Sequence, residues 1–245
     1  MINNNDKRLL KRFYTTVTFE KTEIGYKILL DAKPVKTPSK AILAVPTQSL
    51  AEYVANEWKQ QNQHIEPSKM IATKLANTAI DRVAQRTNEI IQEITQYAAS
   101  DMICYRADGP QDLAERQNKA WDPTLTWLQN AHNLTFQKAT GVMFIEQSEH
   151  DLNGIRHLLS KYNAFELCAL HNITTLTGSA FLALGYAERQ HTLDQIWSAA
   201  YIDEDWQMEQ WGKDEDALKT RDIKWKELKA TCRFFDLSAA NNIPA

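Results

Sequence analysis

The hydrophobic period changes near Pro46, and this change most limits the folds open to the chain. Between residues 13 and 45 apolar and polar residues alternate, as in RFYTTVTFE and GYKILLD, with a turn at residues 23–25 between them. Beyond this stretch Leu50, Val54 and Trp58 recur at every fourth position, and Thr47 precedes them as a candidate N-cap. The first pattern predicts a small antiparallel meander, and the second predicts helices.

The later part of the chain is predominantly helical in pattern. TKLANTAIDRVAQ and TNEIIQEITQYAAS predict two helices, and every segment from Asp151 to about Phe235 predicts a helix. DMICYRA, LTFQKA and VMFIEQ fit either short strands or irregular connections. We therefore predict an α+β fold, with a small beta-rich N-terminal part followed by a mainly helical C-terminal bundle. The expected domains are residues 1–100 and residues 101–245.

The apolar run FELCALHNITTLTGSAFLALGYA, residues 165–187, is long enough to suggest a membrane span. Glu166, His171, Asn172 and several threonines interrupt it. These residues favour one central helix packed inside a bundle over insertion into a membrane. TGSA, at residues 177–180, then falls in the middle of that helix, where small residues allow another helix to approach closely.

Composition places few limits on the partner. A hydrophobic fraction of 43%, a charged fraction of 24% and a net charge of -3 favour neither nucleic acid nor an anionic membrane surface. Cys104, Cys168 and Cys232 form no CxxC pair, which favours buried free thiols in a reducing compartment. The N-terminal MINNNDKRLLKRF lacks the apolar core of a signal peptide, so a cytoplasmic location is expected.

Motifs for the common cofactor chemistries are missing. The chain has seven glycines, none in GxGxxG or GxxxxGK[ST] order, and its six histidines form no HExxH or other metal-ligand spacing. We therefore expect no cofactor, no metal site and no catalytic residues. Asp101 and Asp122 have the chemistry of an acid–base pair, but Asp122 before Pro123 also fits the start of a helix.

The segment EDWQMEQWGKDED, residues 204–216, combines tryptophans with acidic residues. Read as one helix with the residues before it, it predicts an apolar face of Leu193, Trp197, Tyr201, Met208, Trp211 and Leu218, packed on the bundle. Trp206, Glu209 and Asp214 lie off that face. Either these residues form an ordinary solvated surface, or the indole and the carboxylates recognise a partner. Gly212 is expected to end or bend the helix.

Eight short motifs follow one another along roughly residues 12–237. They are RFY (12–14), LDAKPVKTPSK (30–40), LANTAID (75–81), YAASDMICYRA (97–107), RQNKAWDPTLTW (116–127), GVM (141–143), LTGSAFLAL (176–184) and WQMEQWGKD (206–214). In this order they resemble a known family, the F-type ATP synthase assembly chaperones of the type named in human as ATP synthase mitochondrial complex assembly factor 2.

The resemblance implies a binding protein that holds the free alpha subunit of the catalytic head and masks its beta-contact surface. It also implies that an acidic residue shortly after the Trp211–Gly212 pair is important, which assigns that role to Glu215 or Asp216. The family often has glutamate then alanine at this place, whereas this chain has Asp216 and Ala217. The predicted partner-binding residues are thus Glu215, Asp216, Asp214, Trp206 and Glu209.

The chain resembles the bacterial form of the family, for which a cytoplasmic location is expected, while eukaryotic relatives are in the mitochondrial matrix. No nucleic acid and no membrane insertion are expected, and a monomer is favoured. The alternative hypothesis is a small-molecule enzyme that uses Arg106, Asp101 and Arg116 in a polar cleft between the two domains.

Overall fold

The computed structural model describes residues 9–239, which form two compact units. The first unit contains residues 9–85, Ala164–Glu166 and 233–239, and the second contains Arg86–Asn163 and Leu167–Cys232. A compact unit need not fold independently, so the predicted domain division after residue 100 stays a prediction. Residues 1–8 of the N-terminal segment considered above lie outside the described residues.

The sheet of the first unit has four strands and confirms the predicted meander. They are β1 (Val17–Thr22), β2 (Gly25–Leu30), β3 (Lys33–Pro34) and β4 (Ala44–Val45). Strand β2 pairs antiparallel with each of the other three. The β1–β2 turn requires Gly25, because its φ is +115° and a Cβ there would lie 2.5 Å from the carbonyl oxygen of Val45.

Two helices complete most of the first unit: α1 (Gln48–Lys59) and α2 (Ile71–Asp81). The Thr47 hydroxyl accepts the Leu50 N–H at 3.1 Å, which confirms the predicted N-cap. Helix α2 has no cap from its own N-terminal residue. Glu57 on α1 replaces it, because its carboxylate accepts the N–H groups of Ala72 and Thr73, both at 2.7 Å.

The second unit is helical with one pair of two-residue parallel strands, β5 (Tyr105–Arg106) and β6 (Ala139–Thr140). No strand lies between residues 151 and 235, as predicted. Helices α6 and α10 each have residues in both units. The helices are α3 (Thr87–Ala99), α4 (Gln111–His132), α5 (Glu149–Leu159), α6 (Ala164–Thr177), α7 (Ala180–Ala187), α8 (Leu193–Ala200), α9 (Ile202–Trp211) and α10 (Glu215–Ser238).

The prediction of one helix across residues 165–187 is wrong, because α6 and α7 are separate. Gly178 has a φ of +70°, and Ser179 then caps α7 by accepting the Leu182 N–H at 3.0 Å. The Gly–Ser pair of TGSA therefore ends one helix and begins the next, so it is not a mid-helix contact point. Within residues 9–239, no helix is long and apolar enough to cross a membrane.

The prediction that a helix starts at Asp122–Pro123 is also wrong, because Pro123 lies inside α4. Tertiary contacts on both sides of the proline offset its cost to the helix. The Trp121 indole is buried and donates to the carbonyl of Ala199 at 2.8 Å. The buried Thr124 hydroxyl lies 2.8 Å from Nε2 of His191.

Candidate functional site

The break between α9 and α10 forms an exposed corner that we call the α9–α10 junction, residues 209–216. Helix α9 ends at Trp211, and Gly212 follows with φ 89° and ψ 177°. This backbone conformation is accessible essentially to glycine alone, so Gly212 ends the helix as predicted. Every residue from Glu209 to the first turn of α10 is exposed.

The two tryptophans of the segment have the opposite environments from those predicted. Trp206, expected at the surface, is 8% exposed, and Trp211, expected in the apolar packing face, is 75% exposed. The Trp206 indole donates to the Asp112 carboxylate on α4 at 3.1 Å. Its ring meets that of Trp211 edge to face, with centroids 5.6 Å apart. Trp206 is therefore the buried member of the pair, and Trp211 is the exposed member.

The reason for this exchange is a helix break at Tyr201, between α8 and α9. One continuous helix would have placed Trp197, Tyr201 and Trp211 on a single face. The break changes the phase of the residues after it, so that Trp206 becomes the buried residue of α9. Tyr201 remains buried, and its hydroxyl donates to the carbonyl of Leu176 at 3.0 Å.

The four predicted acidic residues are all exposed, but they differ in their partners. Glu209 pairs with Arg116 on α4 at 2.7 Å, and Asp216 pairs with Lys219 at 3.0 Å. Asp214 accepts the Ala217 N–H at 3.0 Å and so caps α10. Glu215 makes no hydrogen bond or ion pair through its carboxylate within residues 9–239. Its charge is the most available of the four.

Arg221 fixes the first half of α10 against the helices before it. Its guanidinium pairs with Glu204 and Asp205 on α9. It also lies over the rings of Trp197 and Tyr201, at 5.3 and 5.1 Å from their centroids. Cation–π and charged contacts on one side chain restrict its rotamers, so the two helices that meet at the junction have a defined geometry.

A groove of about 640 Å³ in the same unit shares Glu209 with the junction. Its charged lining has both signs, with Arg116 and Lys119 from α4 opposite Asp205 and Glu209 from α9. The Arg116–Glu209 ion pair lies at this groove. The acidic character of the junction is therefore concentrated on Asp214, Glu215 and Asp216, which do not line the groove.

A second exposed apolar segment was not identified as a site from the sequence. Val142, Met143 and Phe144 follow β6 and are 97%, 76% and 69% exposed. Their pattern resembles a buried strand, and that was one of the two interpretations of VMFIEQ. Only Ala139 and Thr140 of this region form a strand. Nothing in the local sequence signals that the three apolar residues remain unpacked.

Of the residues of the enzyme hypothesis, Asp101 and Arg106 are buried, whereas Arg116 lies at the surface. Asp101 is fully buried, accepts the N–H groups of Ile103 and Phe181, and has its pKa raised to about 7 by burial. Arg106 is buried and donates to Asp122 at 2.6 Å. Arg116 pairs instead with the exposed Glu209. Asp101 and Arg106 hold the fold, and Asp101 and Asp122 have different partners.

The cysteines and possible metal ligands offer no further site among the described residues. Cys104, Cys168 and Cys232 are buried and form no disulfide, as predicted, and burial raises the pKa of the Cys104 thiol to about 12. A thiol with such a raised pKa is a poor nucleophile near neutral pH. Between residues 9 and 239 no three histidine, cysteine or acidic side chains are grouped so that they could hold a metal ion.

Comparison with known proteins confirms the family resemblance. A profile described as "ATP12 chaperone protein" matches residues 11–129. The crystal structure of Atp12 from Paracoccus denitrificans is similar with a TM-score of 0.88 and 32% identity, over 94% of this chain and 99% of that one. A crystal structure of a protein from Agrobacterium tumefaciens is similar with a TM-score of 0.89 and 40% identity, over 93% and 85%. With this identity over nearly its whole length, the chain belongs to the ATP12 chaperone family.

Proposed function

We propose that this chaperone assists assembly of the F-type ATP synthase by binding the free alpha subunit of the catalytic head. It covers the surface that the alpha subunit later presents to the beta subunit, and it is released when the two subunits meet. A subunit waiting for its partner exposes an apolar interface that is prone to aggregation. A reversible cover on that interface prevents this loss.

The observation that carries the proposal is the exposed indole of Trp211 among the acidic residues of the α9–α10 junction. Tryptophan is enriched among residues that contribute most to protein–protein binding, because it offers a large apolar area with few rotatable bonds. Only a quarter of this residue is covered in the free chain, since it is 75% exposed. Contact with the client would remove much of the rest from water.

The acidic residues next to Trp211 supply recognition and reversibility. Charges at the edge of an interface mainly accelerate association and align complementary groups. Glu215 has no partner for its carboxylate within the described residues, and Asp216 has only an ion pair with Lys219 whose members are 88% and 70% exposed. Such an exposed ion pair contributes little to stability, so a basic group of the client can easily replace Lys219 as the partner of Asp216.

Membership in a chaperone family favours binding over catalysis, and no observation favours the enzyme hypothesis. Arg106 and Asp101 are engaged in the fold, and Arg116 is paired at the surface. We extend the proposal to a monomeric chaperone that works in the bacterial cytoplasm, without nucleic acid or membrane insertion.

The experiment is capture of purified, unassembled alpha subunit by immobilised chaperone. Glu215→Lys and Asp216→Lys should reduce capture about tenfold each, because reversing a charge at the contact both slows association and opposes the client's basic groups. Their urea midpoints should stay near wild type, since substitutions at solvated positions usually change stability by no more than about 0.5 kcal/mol.

Asp222→Lys is the matched control for these variants. Asp222 is also exposed, lies on the same helix, and pairs with a lysine one turn later, Lys226. It should lose the same kind of surface ion pair and retain capture. Full capture by both junction variants would refute this site, and failure of wild type to capture the alpha subunit would refute the proposed client.

A further inference from the structure

The first unit contains a large apolar groove, far along the sequence from the α9–α10 junction. Its volume is about 820 Å³, and it is lined by residues 9, 10, 13, 14, 30, 31, 33–36, 58, 65, 67 and 68. Three of its apolar lining residues, Leu9, Leu10 and Phe13, are 48%, 62% and 66% exposed. Monomeric proteins seldom leave such a concentration of large apolar side chains uncovered without a use for it.

The floor of the groove is held by contacts within the first unit. Tyr14 is 4% exposed, and its hydroxyl donates to the carbonyl of Trp58 at 2.8 Å. The two rings meet edge to face with centroids 5.8 Å apart, and Phe13 meets Tyr14 in the same way at 5.4 Å. Because these contacts form within the unit itself, the groove is present before any ligand binds, which lowers the entropy cost of binding.

The charges that line the groove are predominantly basic. Lys33 and Lys36 are exposed and form no ion pair within residues 9–239. The one acidic lining residue, Asp31, directs its carboxylate to the backbone N–H groups of Thr15 and Thr16 at 3.1 and 2.8 Å. These donors hold the pKa of Asp31 down at about 2. The two lysines are therefore available to acidic groups of a ligand.

Between the groove residues Leu10 and Phe13, the backbone has an edge that pairs with no other residue within residues 9–239. The Leu10 carbonyl accepts the Ile65 N–H at 2.8 Å, and the Arg12 N–H donates to Gln63 at 2.9 Å. Successive residues of an extended chain direct their hydrogen-bonding groups to opposite sides. The N–H and C=O of Lys11 consequently point away from residues 63–65, and an extended peptide commonly binds at such an edge.

We propose that this groove binds an extended, apolar segment of a client protein that carries acidic side chains. Apolar residues of the segment contact Leu10 and Phe13, and its carboxylates approach Lys33 and Lys36. This site is additional to the α9–α10 junction, and it would give the chaperone a second point of attachment. Two weak sites on one client increase the overall affinity well beyond that of either site.

The test measures binding of a synthetic peptide to the full chain by fluorescence anisotropy. The probe is a short labelled peptide in which leucine and phenylalanine alternate with aspartate, and its comparison peptide has lysine in place of aspartate. The acidic peptide should bind saturably and at least tenfold more tightly than the basic one. Added salt should reduce this preference, because the lysines are exposed.

Three variants locate the binding. The double variant Lys33→Glu, Lys36→Glu should reverse the preference between the two peptides. Phe13→Ser should weaken the binding of both peptides. Because Phe13 is exposed, this substitution should leave the fold intact, and an unchanged circular dichroism spectrum will show that misfolding does not cause the weaker binding. Glu215→Lys should bind both peptides as wild type does. Peptide binding at the groove is thereby tested independently of alpha-subunit capture at the α9–α10 junction.

Several outcomes would overturn the proposal. They are absence of saturable peptide binding, a preference that charge reversal leaves unchanged, and a large gain in affinity when residues 1–8 are removed, which would identify the chain's own N-terminus as the occupant. A dimer in sedimentation that Phe13→Ser dissociates would identify a second copy as the occupant. Binding of wild type to anionic lipid vesicles in place of the peptide would identify a membrane ligand.

Discussion

Replacing each tryptophan of the segment EDWQMEQWGKDED by alanine should separate folding from client binding. Trp206→Ala removes a side chain that is 8% exposed and bonded to Asp112, whereas Trp211→Ala removes one that is 75% exposed. The two residues are in contact, lie on the same helix and have the same chemistry. The difference between the two variants therefore depends on burial and not on residue type.

The magnitudes follow from the covered area. A fully buried tryptophan covers up to about 250 Å², which at about 25 cal/mol/Å² gives roughly 6 kcal/mol as an upper bound. Trp206→Ala should thus lower the free energy of unfolding by about 3–5 kcal/mol, as buried aromatic truncations do. For Trp211 the covered quarter gives at most about 1.5 kcal/mol. Trp206→Phe retains most of the area and loses the bond to Asp112, which costs about 1–2 kcal/mol.

The assays are urea unfolding followed by circular dichroism and capture of the alpha subunit by the same variants. Trp211→Ala should retain its urea midpoint within about 1 M of wild type and lose most of its capture. Trp206→Ala should show a much larger fall in midpoint. The assignment of Trp206 to structural support and of Trp211 to client contact is refuted if Trp211→Ala destabilises the chain as much as Trp206→Ala does. It is also refuted if Trp211→Ala captures the client normally.

Three further outcomes test the interactions that build the fold and the junction. Glu57→Ala should destabilise the chain by about 1–3 kcal/mol in urea unfolding, because it leaves the first N–H groups of α2 uncapped. Asp214→Ala should lower stability by about 1 kcal/mol through loss of the α10 cap, whereas Glu215→Ala should not, as parallel urea titrations will show. The pKa of Asp101 is near 4 in the unfolded chain and is raised to about 7 in the folded chain. Asp101 therefore adds to the free energy of unfolding below about pH 4, and this contribution is lost as the pH rises through about 7. The stability advantage of wild type over Asp101→Asn should therefore shrink between pH 4 and pH 8, and a constant difference would contradict the raised pKa.

Most elements of the fold could be predicted because their determinants are local. The alternation in GYKILLD predicts β2, and the turn before it requires Gly25, whose φ is +115°. The apolar residues at every fourth position after Thr47 predict α1, and the hydroxyl of Thr47 makes the expected N-cap hydrogen bond. In each case residues next to one another in sequence supply both the periodicity and the termination signal.

The places where helices break were harder to predict, because two opposing signals meet there. Pro123 suggests the start of a helix, but α4 continues across this residue because Trp121 and Thr124 on either side of it make buried contacts. At Gly178 and Ser179 the opposite holds: the surrounding residues are apolar enough for one helix, yet the pair supplies an ending and a cap. Hydrophobic pattern alone does not decide between these signals, since tertiary contacts determine which one prevails.

The candidate site depends on such breaks, and this explains why the exposure of its acidic residues was predictable and the environments of its tryptophans were not. Asp214, Glu215 and Asp216 are exposed because charged side chains resist burial whatever the helix phase. A tryptophan side chain can be either buried or exposed. The environment of Trp206 therefore follows from the helix break at Tyr201 and from its hydrogen bond to Asp112, which lies 94 positions away in sequence. Gly212 then ends α9 directly after Trp211, where the next turn that could have covered the indole is absent. The exposed indole of the junction is thus a consequence of where the helix stops.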